Sequence, residues 1–308
     1  MCFSNRMWGD ISFFSIGEGD WMTKKVGFFV NTRKENAPQV VADVSELLKK
    51  AGVAPIVADE QAEDLGLKLT GIGTAQMVED VDMLLVLGGD GTLLSAAHLP
   101  KIETVPILAI NIGNLGFLTD ASLAELKPSL RATLRGDYRI EHRMMLEVFV
   151  NSQSPQPFHT FALNDVMIRH YTRLIELNAY IDGELFIPYN ADGLIIATPS
   201  GSTGYSLSCG GTIVEPQLEA ILLTPIAPHS LTVRPFIAHG DAEIKVEMHS
   251  TYESLDLFID GQRETHTLTR EAEIKICRAK RTIQLIRSRS HSYYKALREK
   301  LMLGERIK

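Results

Sequence analysis

The chain has 308 residues, 45% of them hydrophobic and 22% charged, with a net charge of −7. That composition belongs to a folded globular protein with room for one large core or two ordinary ones. The negative balance argues against a general binder of nucleic acid or of anionic membrane, and no apolar run approaches the length of a membrane span. Cys2, Cys209 and Cys277 stand far apart with no C-x-x-C pair, which points to free thiols in a reducing, cytoplasmic setting rather than a disulfide framework or a zinc site.

Residues 1–21 carry Phe3, Trp8, Phe13, Phe14 and Trp21 without periodicity and lack the apolar stretch of a signal peptide. They are expected to be an N-terminal extension, disordered or not native, with Met22 as the natural start. Residues 26–30 then read as a buried strand. Asn36-Ala37-Pro38 starts a helix whose apolar face is Val40, Val41, Val44, Leu47 and Leu48. Residues 54–58 resemble a second strand, and residues 59–80 are glycine-rich and ambiguous. Residues 83–87, Met-Leu-Leu-Val-Leu, are apolar throughout, as in a strand covered on both faces of a parallel sheet.

That strand runs into Gly88-Gly89-Asp90-Gly91-Thr92, and residues 92–97 can begin a helix. Glycines let backbone N–H groups converge on an anion at a helix N-terminus. An acid in such a cradle repels a phosphate, so Asp90 makes sense facing a hydroxyl or a metal. Another strand over 105–110 leads into a second glycine loop, Asn111 to Asp120, at the same edge of the sheet. The alternation of strand and helix predicts an α/β unit over 22–142 with an open, mostly parallel sheet, ligands lying beyond the carboxyl ends of its strands.

After Gly136 the pattern changes to β-rich segments at 145–150, 158–168, 174–181, 194–198, 243–248, 255–259 and 273–277, punctuated by Asp182-Gly183 and Asp192-Gly193. A β-rich, sandwich-like unit is expected over 143–279. Residues 280–308 are expected to rejoin the first unit through an amphipathic C-terminal helix at 293–303.

Three polar clusters interrupt these strands. Asn164-Asp165 sits inside an apolar run, where an amide and an acid cannot both face a core; a turn or bulge is the commoner explanation, a ribose ligand the functional one. Residues 192–211 pass from Asp192-Gly193 through an apolar strand into Thr198-Pro199-Ser200-Gly201-Ser202-Thr203-Gly204-Tyr205-Ser206-Leu207-Ser208. Hydroxyls and backbone N–H groups suit phosphate and ribose, and a tyrosine suits a base. Asp260-Gly261-Gln262 reads by itself as a hairpin turn. The P-loop, the G-x-G-x-x-G turn, H-E-x-x-H and G-x-S-x-G are all missing.

Taken together and in order, Gly88-Gly89-Asp90-Gly91-Thr92, Gly113-Asn114-Leu115-Gly116-Phe117, Leu163-Asn164-Asp165 and the 192–208 cluster resemble the ATP-dependent NAD kinase family, from about Lys25 to the end. The resemblance implies transfer of the ATP γ-phosphoryl group to the 2′-hydroxyl of the adenosine ribose of NAD, with a divalent metal, usually Mg2+. It implies a homodimer or homotetramer whose NAD pocket is completed across a subunit interface. Asp90 is then the catalytic base, and Gly88, Gly89 and Gly91 approach the phosphates. Asn164 and Asp165 hold NAD, Thr203, Gly204, Tyr205, Ser206, Leu207 and Ser208 surround its adenine and ribose, and Asp192 meets the nicotinamide end. Phe117 lines the wall, and Arg173, Asn190, Ala227 and Gln262 match further NAD-contacting positions. Two positions depart from the family pattern: Asp165 stands where glutamate is usual, and Gly204 replaces a common alanine. The competing readings are a diacylglycerol-type lipid kinase, which shares the first motif, and a dinucleotide sensor without catalysis.

Overall fold

The computed structural model describes residues 23–113, 116–151, 157–170, 174–249, 254–261, 263–270, 272–289 and 291–304. The expectations for residues 1–21, and for Arg173 and Gln262, lie outside them.

The first unit begins β1 (Lys25–Val30), α1 (Ala37–Lys50), β2 (Ala54–Val57), α2 (Asp59–Asp64), α3 (Thr74–Asp80), β3 (Met83–Gly88), α4 (Asp90–Ala97) and β4 (Ile107–Asn111). It continues with β5 (Ala121–Ser122) and α5 (Leu126–Leu134). The strands run parallel in the order β4-β3-β1-β2, with β5 beside β4. Pleating explains why β3 is apolar at every position. Met83, Leu85 and Leu87 pack on one face with α1 and α5, while Leu84 and Val86 pack on the other with α3 and α4. The ambiguous 59–80 stretch contains the two short helices α2 and α3, their apolar faces too brief to show a period.

The second unit holds β6 (Arg139–Asn151), β7 (Phe158–Ala162), β8 (Asp165–Arg169), β9 (Ile175–Ile181), β10 (Glu184–Ala191) and β11 (Gly193–Ala197). The short α6 (Tyr205–Ser208) precedes β12 (Ala220–Ile226), β13 (Phe236–His239), β14 (Ile244–Met248), β15 (Ser254–Ile259) and β16 (Glu264–Thr269). Last come β17 (Glu273–Arg287) and α7 (Tyr293–Leu301). One sheet runs β13-β12-β11-β8-β15-β16 and is antiparallel. It faces the β10-β9-β14-β17 end of the first sheet across a core that includes Val148, Leu177, Leu194, Leu223, Val246, Leu257 and Ile276. This is the sandwich expected from the alternating strands.

The sheet of the first unit does not stop where the sandwich begins. β17 pairs with β6 along both strands from Glu273↔Asn151 to Arg287↔Arg139, with an irregularity between Arg278 and Thr282. Its first half lies beside β14, and Leu285 lies beside Ile107 of β4. The expected boundaries at 142/143 and 279/280 fall inside β6 and β17.

Several strands differ from their sequence reading. The run 158–168 is two strands in different sheets, β7 beside β6 and β8 between β11 and β15, with the break at Leu163-Asn164. Asp182-Gly183 is a true hairpin turn between β9 and β10, whereas at Asp192-Gly193 the chain passes from one sheet to the other. β12, unanticipated, contains Pro225. The neighbour β13 pairs only with 220–223, so that proline sits where this edge of the strand is uncovered.

Candidate active site

Asp90 opens α4 at the carboxyl end of β3, beside the end of β4, where Gly88 pairs with Asn111. Its carboxylate is clamped: Phe117 N–H donates to Oδ2 at 2.8 Å and Leu118 N–H to Oδ1 at 3.0 Å. Gly116 makes the close approach possible, because a Cβ there would lie 1.8 Å from Asp90 Oδ1. The two glycine loops singled out in the sequence therefore form one feature, the second holding the acid of the first. Gly88 is buried in β3, while Gly89 and Gly91 are half-exposed at the turn. A cavity of about 770 Å³ between α1 and α5, lined by Thr23, Leu47 and Arg131 among others, lies at the amino ends of β1 and β2. That is the wrong end of a parallel sheet for its ligand.

Beneath the clamp lies a buried charge cluster. Arg287 Nη1 donates to the carbonyl of Leu118 at 3.0 Å, holding from its other side the residue whose N–H grips Asp90, and Arg143 Nη1 donates to Ser200 Oγ at 3.1 Å. Burial pulls the Arg287 guanidinium down to about 10, aided by the charge of Arg143. Burial also lowers Arg143. Burial pushes the Glu141 carboxyl up, but the two arginines outweigh it and hold it below the ordinary value. The Arg287 guanidinium thus stays charged at neutral pH behind the acid.

Asn164 and Asp165 lie at the sheet crossing between β7 and β8. The crossing is held by Asp260, fully buried and with φ +46°. Its carboxylate accepts N–H from Leu163 (2.8 Å), Asn164 (2.6 Å) and Asp165 (3.1 Å), and meets His98 Nε2 at 2.8 Å. His98 ends α4, the helix that Asp90 begins. A single side chain therefore ties the helix that Asp90 begins to the Asn164-Asp165 turn. Asp165 itself is buried, and its carboxyl is pushed up to about 7, by burial first and by the charge of Asp260 second.

The serine-rich cluster wraps this turn. Thr198 donates from its backbone to the carbonyl of Asn164 (2.8 Å) and from its hydroxyl to that of Leu163 (2.6 Å). Gly201 stands so near that a Cβ would meet the Asn164 carbonyl at 2.1 Å. The two departures from the family pattern are neighbours: a Cβ on Gly204 would lie 3.6 Å from Asp165 Oδ2 and 3.1 Å from the Gly201 carbonyl. Thr203 and Leu207 are half-buried, Tyr205 and Ser208 are exposed, and Ser206 is buried with its hydroxyl 2.8 Å from that of Thr224. Asn190, Asp192 and Ala227 gather at one corner, where Asp192 N–H donates to the Ile226 carbonyl and His229 N–H to that of Asn190.

Sequence reading took Asp260 for part of a hairpin turn and missed its role as anchor, because D-G is the commonest of turn signals and its partners lie 95 or more residues away. It also passed over three cations at the glycine turns. Arg263 Nη2 lies 2.6 Å from where a Gly91 Cβ would be, and Lys34 Nζ lies 3.7 Å from the corresponding point of Gly113. Lys300 Nζ stands 4.0 Å from Asp90 Oδ2. Nothing in their sequence context marks them.

A clamped acid on a glycine turn, ringed by cations and joined to a hydroxyl-rich β unit, defines a nucleotide phosphotransferase of two units. Residues 26–138 match the model of the ATP-NAD kinase N-terminal domain and residues 163–288 that of the ATP-NAD kinase C-terminal domain. The chain is 40% identical over 285 residues to an NAD kinase of Geotalea daltonii, covering 92% of this chain and 100% of that protein. It is 40% identical over 284 residues to one of Moorella thermoacetica, covering 91% and 90%. Among solved structures, it resembles yeast NADH kinase complexed with NADH, with TM-score 0.85, 28% identity and 93% and 89% of the two chains covered. It also resembles an NAD kinase from Archaeoglobus fulgidus in complex with ATP, with TM-score 0.71, 25% identity and 90% and 98% covered. The chain belongs to the ATP-NAD kinase family.

Proposed function

We propose that Asp90 is the general base of an ATP-dependent NAD kinase, taking the proton of the adenosine ribose 2′-hydroxyl as that oxygen attacks the γ-phosphorus of ATP. The oxygen–phosphorus bond forms, the bond to the β-phosphate oxygen breaks, its electron pair leaves with ADP, and the hydroxyl proton passes to the carboxylate. The observation that carries this reading is the clamp of two backbone N–H groups on Asp90. It fixes the carboxylate at the phosphate turn and leaves its remaining lone pairs for a hydroxyl. Base assistance contributes about 10²–10⁴-fold, and alignment with charge neutralisation supplies most of the rest.

Asn164, Asp165 and the 198–208 segment are read as the NAD half of the site, with Phe117 as wall. Asn190, Asp192 and Ala227 are read as its nicotinamide edge, completed by a second copy of the chain. The described residues hold no group of three or more His, Cys, Asp or Glu side chains placed to bind a metal. Mg2+, which prefers phosphates, waters and one or two carboxylates, is accordingly read as arriving on ATP as part of the substrate. No helix among the described residues is long and apolar enough to cross a membrane, and the free Cys209 and Cys277 support a reducing, cytoplasmic setting.

The test is Asp90→Asn, assayed with Mg2+, ATP and NAD and coupled to an NADP-specific dehydrogenase. The variant is expected to bind NAD with near-normal affinity and to lose 10²–10⁴-fold in kcat. Turnover within a few-fold of the unmutated chain overturns the base assignment.

A further inference from the structure

The C-terminal helix reaches the reacting end of the site, and none of the motifs absorbed so far accounts for it. α7 is moored at its start to the loop that clamps Asp90. Ser288 N–H donates to Asp120 Oδ1 at 3.0 Å, His291 Nδ1 lies 3.3 Å from the Asp120 carbonyl, and Ser292 Oγ accepts from Lys295 N–H. Ala296 is buried along the helix, and Tyr294 donates to Glu215 Oε1 at 3.1 Å. These contacts aim the last turn at the glycine loops. There Lys300 Nζ stands 4.0 Å from Asp90 Oδ2 and 4.0 Å from the centroid of the Phe117 ring. The oxygen it approaches is the one held by Phe117 N–H.

We propose that Lys300 is a second catalytic residue for the phosphoryl transfer, its ammonium binding a non-bridging oxygen of the γ-phosphoryl group. A phosphoryl group arriving beside Asp90 meets like charge, and catalysis of this reaction rests on neutralising charge where it spreads in the transition state. The geometry supplies the counter-charge. The ammonium sits on the aromatic face that walls the site, and its stem is mostly covered, with 27% of the side chain exposed. Four methylenes let the head pivot from the carboxylate to a phosphoryl oxygen without moving the helix. Lys300 keeps its proton throughout; Asp90 alone takes one up. Among the described residues, Lys300 is the cation that pairs with Asp90 itself, while Arg263 and Lys34 lie beside Gly91 and Gly113. The inference rests on the kinase reading above.

The experiment compares the unmutated chain with Lys300→Met, Lys300→Arg and Lys300→Ala in the coupled assay, with thermal unfolding of each. Lys300→Met keeps the stem on Phe117 and removes only the charge. It is expected to lose about 10²-fold in kcat, the size seen when one transition-state donor is removed, with the KM for NAD within two-fold and Tm unchanged. Lys300→Arg should recover at least a tenth of the activity, and added methylammonium should raise the activity of Lys300→Ala saturably. A kcat for Lys300→Met within three-fold of the unmutated chain overturns the proposal. So does a loss that tracks a fall in Tm and that neither arginine nor the amine restores. If the unmutated chain makes no NADP, the kinase reading fails first and separately.

Discussion

Asp165 is the residue whose chemistry departs furthest from its sequence expectation. Read from the sequence it was a ribose-holding acid one methylene shorter than usual; in the fold it is a buried carboxyl close to a second one. Burial, and after it the charge of Asp260, raise its pKa to about 7, while a hydrogen bond from Gly261 N–H works the other way. An acid whose folded pKa exceeds its unfolded value of about 4 lets the native state hold a proton that the unfolded chain releases. The contribution is fully present below about pH 4 and is lost as pH rises to about 7, a difference on the order of 4 kcal/mol. Asp165→Asn lacks this titration. Urea unfolding at steps between pH 4 and 8 should show the variant gaining on the unmutated chain up to about pH 7 and the gap then levelling. A gap that stays constant with pH would rule out a buried acid here. Asn164-Asp165 was legible because a polar pair in an apolar run demands an explanation. Asp260, its partner, was not, because only tertiary structure buries a D-G turn.

Among the elements, the turn that ends β15, at Asp260 and Gly261, does the work of a hinge pin. It carries the carboxylate that gathers three successive N–H groups of the sheet crossing and meets His98, and Arg263 overlies Gly91. Asp260→Asn keeps the volume but turns one acceptor oxygen into a donor facing N–H groups that it cannot satisfy. Leaving buried groups unpaired in this way costs about 3–5 kcal/mol. The variant is expected to unfold at correspondingly lower urea and, where still folded, to show a KM for NAD raised at least ten-fold with a smaller change in kcat. An unchanged KM would mean that the turn only supports the fold. Most elements were readable from pattern: β1, α1, β3 and β4 from unbroken or periodic apolar residues, and β9, β11 and β14 from their β-rich runs. The break in 158–168 was marked by Asn164-Asp165, where a turn or bulge was the commoner reading, but that the chain there passes into a different sheet was not readable, since alternation is identical on both sides of a sheet crossing. Nor was the length of β17, which changes neighbours from β14 to β4 halfway along.

At the scale of the whole molecule, β6 and β17 give both units one continuous sheet, so the glycine turn and the Asn164-Asp165 crossing are held in fixed relation by backbone pairing rather than by a linker. The sequence could show two kinds of unit, an α/β half and a β-rich half, but strand pairing across 120 or more residues leaves no local trace.

The continuous sheet also decides where edges remain open. β10 ends the first sheet and β13 ends the second, and they meet where the rings of Phe186 and Phe236 pack at 4.4 Å, tilted by 40°. Around that meeting Leu185, Leu231, Phe236 and Ile237 are exposed, Leu231 by 90%. Uncapped edges bearing large apolar side chains favour pairing with another chain. Asn190 and Ala227, proposed above to edge the nicotinamide, are exposed in the same region, Asn190 on β10 itself. A second copy seated here would cover the patch and, on the reading proposed above, complete the NAD site. Leu231→Glu with Phe236→Lys is therefore expected to yield a monomer by light scattering, with unchanged circular dichroism and a KM for NAD raised ten-fold or more. The ATP requirement should survive, because Asp90 and Lys300 belong to one chain. A monomeric variant with normal KM would separate the interface from the site. An unmutated chain that is itself monomeric would leave the exposed leucine without its proposed role.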